Sequence, residues 1–109
     1  MKDLKKMLEL LNCLSEEKDV KNDVGPWKIG EKYQITTVTM IVTGELTYIG
    51  DKELVMKDAA WIADTGRLSD SLEDQTKYNE VEPFKEDVII GRGSIIHATK
   101  IYYLERNQK

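Results

Sequence analysis

Residues 36–62 read TTVTMIVTGELTYIGDKELVMKDAAWI, and the pattern inside them decides the fold. From Thr36 to Tyr48 the residues alternate. Val38, Met40, Val42, Leu46 and Tyr48 fall on one face with Gly44, and Thr37, Thr39, Thr43, Glu45 and Thr47 on the other, broken only by Ile41. Successive side chains leave a strand on opposite faces, so a period of two predicts a half-buried β-strand. Gly44 has no side chain to pack and marks a bend or bulge, so the run reads as two strands meeting at a corner. Ile49-Gly50-Asp51-Lys52 has turn chemistry, and a second strand starts at Glu53 and runs to Ile62.

The chain of 109 residues has the length of one domain, and it carries 16 basic against 20 acidic residues, a net charge of −4. That balance gives no general attraction to a nucleic-acid backbone, so contact with one requires a local basic patch. Cys13 is the single cysteine, which excludes an internal disulfide and fits a reducing, cytoplasmic setting. No apolar run of membrane-spanning length occurs, and the N-terminus lacks a secretion signal, so no membrane association is expected.

On the N-terminal side, Leu4, Met7, Leu8, Leu11 and Leu14 recur at helical spacing and predict an amphipathic α-helix. Its leucine stripe needs a partner, since so short a helix is marginal alone in water. Residues 1–24 therefore form a helix and charged linker, and residues 25–109 the β domain, with Trp27 anchoring the linker. On the C-terminal side, Asp64-Thr65-Gly66-Arg67 is a turn and Ser69 is placed to cap a short helix containing Leu68 and Leu72. Pro83 argues against a central strand in the polar stretch 74–87. Val88-Ile89-Ile90 is a buried strand, Gly91-Arg92-Gly93 interrupts it, and Ile95–Leu104 is the last strand, followed by a solvated tail. Trp61, Tyr48 and Tyr102 read as core. The predicted architecture is mainly β: a small, bent, five-stranded antiparallel barrel with an N-terminal α-helix. Open edge strands in so small a barrel pair between chains, which predicts a homo-oligomer, either a ring or a dimer.

Gly44-x-Leu46, Ile49, Asp51, Leu54-Val55-Met56 and Asp58-Ala59 resemble the first motif of Sm and Sm-like proteins. Asp87-Val88-Ile89-Ile90-Gly91-Arg92-Gly93-Ser94-Ile95-Ile96 resembles their second motif. The resemblance covers about half the chain and implies an Sm/SH3-like barrel and RNA as ligand. The chain departs from the family where an Asn reads a base, since Glu53 or Leu54 stands there, and Ser94 stands where Asn often follows Arg-Gly. Residues 58–67 and 89–93 also look like small bacteriophage and prophage proteins.

Asp64-Thr65-Gly66 matches the triplet carrying the catalytic carboxylate of retroviral-type aspartic proteases, which would require two Asp64 carboxylates sharing one proton. Only about 25 residues separate Asp64 from Ile89, too few for a substrate-covering flap, and Arg67 disfavours a shared proton, so the protease is a remote alternative. His97 is the single histidine; without a nearby cysteine it builds no metal site or dyad, and it reads as structural. No cofactor loop is present, and the chain reads as non-enzymatic. Arg67 and Arg92 each lie in a glycine-containing turn, where a guanidinium and backbone N–H groups together suit an anion. The expected site is Arg67 and Arg92 converging at one rim, with Thr65, Gly66, Gly91, Gly93 and Ser94 around them. The alternative for both arginines is a structural ion pair. The expected function is a phage or prophage accessory protein of the host-cell cytoplasm that binds RNA or a small nucleotide, the latter as a sequestered host signal, and uses no cofactor. The alternative is an interaction module whose N-terminal helix engages a host or virion protein.

Overall fold

The computed structural model describes residues 25–109. Within them the protein is mainly β, a six-stranded antiparallel sheet with one short helix. The strands are β1 (Lys32–Thr37), β2 (Ile41–Ile49), β3 (Glu53–Asp64), β4 (Glu80–Pro83), β5 (Val88–Gly91) and β6 (Ile95–Ile101). Helix α1 (Leu68–Glu73) and two 3-10 turns, Gln75–Lys77 and Arg92–Ser94, complete the elements. Strand order is β4-β3-β2-β1-β6, with β5 also paired to β3. Among the described residues no helix is long and apolar enough to cross a membrane. The expected helix within residues 1–24 lies outside the described residues.

The five-strand expectation is corrected to six because β3 is twelve residues long. One edge of β3 pairs with β2 along its length. The other is divided: Glu53–Met56 pair with β5, and Ala60–Asp64 with β4. Pro83 did not prevent a strand, because it ends an edge strand, where a missing N–H costs no ladder bond. A three-residue turn then joins β5, on β3, to β6, on β1, so the sheet curls. The ladder is not closed, since β5 and β6 do not pair.

The Thr36–Tyr48 run does divide into two strands, but the break falls between Thr37 and Ile41 and not at Gly44. Thr37 turns the chain: its hydroxyl donates to the Met40 carbonyl at 2.9 Å and accepts from the Met40 N–H at 3.1 Å. Val38 and Met40 are therefore exposed at a hairpin tip. Gly44 does mark the bend. The β2–β3 register slips between Thr43 and Glu45, where Asp58 of β3 takes a positive φ of 51°. A second slip between Leu46 and Tyr48 turns Tyr48 out to solvent.

Inside the curl, Tyr33, Ile35, Val42, Leu46, Leu54, Met56, Ala59 and Ile90 form the core, with Trp27, Ile49, Val88, Ile95 and Ala98 against it. A second cluster, Ala60, Ile62, Tyr78 and Val81, lies behind the bend. Helix α1 and the following turn help cover this region, and buried polar groups fasten them. Tyr78 Oη donates to Gln34 Oε1 at 2.6 Å, and burial pushes the phenol above its ordinary pKa, keeping it a donor. Gln75 Nε2 donates to the Ser71 and Leu72 carbonyls, and its Oε1 accepts from the N–H groups of Tyr102 and Tyr103.

Other boundaries differ from expectation. Arg67, not Ser69, stands at the N-cap of α1, without a side-chain cap bond. β6 stops at Ile101, where Gln75 takes over the next two backbone N–H groups, and Tyr102 is 75% exposed. Trp61 is also partly exposed, although β3 is flanked there by β2 and β4. The tail is docked, not solvated: Lys109 exchanges two backbone hydrogen bonds with Val81, at 2.8 and 3.1 Å. Buried Glu105 pairs with the Lys109 ammonium at 3.2 Å, and Arg106 pairs with Asp58 at 2.7 Å.

Candidate ligand-binding site

The two arginines do not converge within one chain. Gly91, beside Arg92, pairs with Glu53 at the start of β3, while Arg67 follows Asp64 at its end. Eleven residue steps at about 3.3 Å each put roughly 36 Å of strand between them.

Arg92 is half-buried and employed locally. Its Nη1 donates to the Gly50 carbonyl at 2.7 Å and its backbone N–H to the Lys52 carbonyl at 2.8 Å, clamping the β2–β3 turn. Ser94 Oγ donates to the Gly91 carbonyl at 2.7 Å, closing the 3-10 turn, and Gly91 and Gly93 are exposed. At the other end, Asp64 Oδ1 accepts the Gly66 N–H at 2.8 Å, Thr65 Oγ1 donates to the Gly66 carbonyl, and Gly66 adopts a φ of +69°. The Asp-Thr-Gly triplet thus forms a side-chain-stabilised turn, and Arg67 is exposed beside it. Arg92→Ala should lower stability by about 1–2 kcal/mol through the lost charge-assisted bond, whereas exposed Arg67→Ala should stay within about 0.5 kcal/mol. Parallel urea titrations check both, and equal effects would show that the turn clamp contributes nothing.

A groove that the sequence reading missed lies where the segment before β1 crosses β6. It encloses about 480 Å³ and is lined by Pro26, Trp27, Lys28, Glu31, Tyr33, Ile95, His97, Ala98 and Lys100. That volume is in the range of small-molecule sites, roughly 300–1,000 Å³. Register brings the parts together: Tyr33 lies opposite Lys100, and Thr36 opposite His97. The Trp27 and Tyr33 rings meet edge to face, centroids 5.0 Å apart at 68°, and Tyr33 Oη accepts the Lys28 N–H at 3.0 Å. This fixes a half-buried indole at the groove. Lys100 pairs with Glu31 at 3.1 Å and lies 5.7 Å from the Tyr102 ring centroid. The Glu31 carboxylate raises the Lys100 pKa above its usual value, so the ammonium stays charged. Trp27 packs against the core, while the linker it was expected to anchor lies outside the described residues, and His97 is exposed in β6 at the groove. Signals for the groove existed in the sequence, namely a Gly-Pro-Trp-Lys run and a lysine in the last strand, but not the pairing that joins them.

Among the described residues no group of three or more His, Cys, Asp or Glu side chains is placed to hold a metal ion. Comparison of the chain with family models, with characterised proteins and with solved structures gave no match.

Proposed function

We propose that this chain is a non-enzymatic binding protein of Sm/SH3-like barrel type, a phage or prophage accessory protein of the host cytoplasm, whose ligand is RNA or a small nucleotide. The observation that carries this reading is the groove, in which an aromatic pair, two lysines and a histidine surround a space of ligand size. Aromatic faces accept bases by stacking, and ammonium groups accept phosphate. The barrel reading is supported by the curl that carries β5 and β6 to opposite margins of the β1–β3 sheet.

The protein works as a homo-oligomer. The sheet's edges are treated unequally: the tail and Pro83 occupy the β4 margin, while β5 and β6 have no further strand beyond them among the described residues. Ile89, 71% exposed on β5, and Ile96, 63% exposed on β6, offer apolar surface there. Native mass spectrometry of protein purified from cells tests both parts. Multiples of the chain mass with retained nucleotide or RNA are expected, and Ile89→Lys, which puts a charge on the β5 edge, should shift the assembly to monomer. A monomer without nucleic-acid mass in the unaltered protein would refute the reading, and a co-purified protein would instead favour an interaction module.

A further inference from the structure

Resting on the reading above, we propose that the groove is a mononucleotide site, in which Trp27 stacks the base, Lys28 and Lys100 hold the phosphate, and Glu31 competes with that phosphate for Lys100. The occupant follows from the size and charge of the groove. Two lysines against one glutamate leave one net positive charge beside an apolar wall of Trp27, Ile95 and Ala98. One phosphate on one planar ring matches this; a polyanion does not, because the chain carries a net charge of −4 and binding many phosphates needs a longer basic track. Trp27 is suited to stack because its edge-to-face contact with Tyr33 holds the indole. Among the described residues Lys28 has no carboxylate partner, whereas Lys100 is held by Glu31 at 3.1 Å. An arriving phosphate must therefore take Lys100 from Glu31, which makes Glu31 a residue that sets affinity without touching the ligand's ring.

The experiment uses the full chain with Trp61→Phe, so that Trp27 is the remaining indole, and titrates its emission. Adenosine monophosphate should quench Trp27 saturably, and adenosine alone or inorganic phosphate alone should bind at least about tenfold more weakly, since each engages half of the site. Lys100→Ala should weaken the monophosphate about tenfold and Glu31→Gln should tighten it a few-fold, with melting temperatures little changed because both partners of the ion pair are partly exposed. Absence of saturable quenching by the monophosphate, or quenching indifferent to both substitutions, overturns the proposal. The failures are distinguishable. If hexauridylate RNA binds and the monophosphate does not, the mononucleotide site falls while the broader nucleic-acid reading stands. If neither binds, both fall.

Discussion

Gln75→Leu should be among the most destabilising single substitutions, costing about 3 kcal/mol and lowering the melting temperature by roughly 10–20 °C. The volume is nearly conserved, so no large cavity forms; the loss comes from hydrogen bonding. In the native protein the Gln75 amide is satisfied on both sides, donating to Ser71 and Leu72 and accepting from Tyr102 and Tyr103. The first two are carbonyls near the end of α1, where an α-helix leaves acceptors without intrahelical partners. The other two are N–H groups just past the end of β6. A leucine leaves all four without this partner. Each buried orphan costs about 1–3 kcal/mol, and the three partly buried bonds recover some of that from water, which sets the total well below the sum. Gln75→Glu keeps the acceptor but sets a buried carboxylate oxygen against the two carbonyls, so near neutral pH it should destabilise at least as much as leucine. Thermal unfolding gives the ranking, and amide exchange at Tyr102 and Tyr103 locates the damage. A leucine variant melting within about 3 °C of the parent would show that water replaces the amide at little cost.

Gln75 also shows where the sequence stops being legible. It stands in a polar stretch with no periodicity, and its partners are separated from it by 27 and 28 residues at one end. Nothing local distinguishes it from a solvated glutamine. The β2 and β3 strands were legible because Gly50-Asp51 punctuates them and because burial follows their side-chain period over Leu54 and Met56. The hairpin at Val38–Met40 was not, because Thr37 makes the turn with its hydroxyl and leaves the alternation of threonines unbroken. Strand β4 was hidden by Pro83, whose prohibition applies to ladder positions and not to a strand's free margin.

The site was legible only as residue types. Glycine-flanked arginines do identify turns, and both turns exist. Placing them at a common rim required knowing which end of β3 each turn adjoins, and strand length then separates them. The groove required the opposite information, a pairing between residues 32–37 and 95–101 that carries Tyr33 to Lys100. Such non-local pairing leaves no local signature in either strand. The structure thus moves the candidate chemistry from the turns, where side chains are spent on the fold, to a face where an indole and two ammonium groups are presented together.

Gly44 marks a bend in the structure as in the sequence reading, and it yields a prediction of sign as well as size. In an ordinary strand, Gly→Ala at a compatible backbone angle stabilises by about 0.4–1 kcal/mol, because the unfolded chain loses freedom. At Gly44 the sign should reverse. A Cβ there would lie 3.0 Å from Met56 Cβ and 3.2 Å from both the Lys57 carbonyl oxygen and Met56 Cε. The Met56 methyl can swing away, but its Cβ and the Lys57 carbonyl are fixed by the β3 backbone. Relief therefore means moving β3 off β2 at the bulge, where Asp58 already holds a φ of 51° and Arg106 grips its carboxylate. Overpacking of this kind costs about 1–3 kcal/mol, so Gly44→Ala should sit near the lower figure and Gly44→Val at or above the upper one. Urea unfolding should show falling midpoints with an unchanged slope, since the surface exposed on unfolding is the same. If Gly44→Ala is neutral or stabilising, the close approach of β3 is not what bends this sheet, and the bend must be assigned to the Asp58 bulge alone.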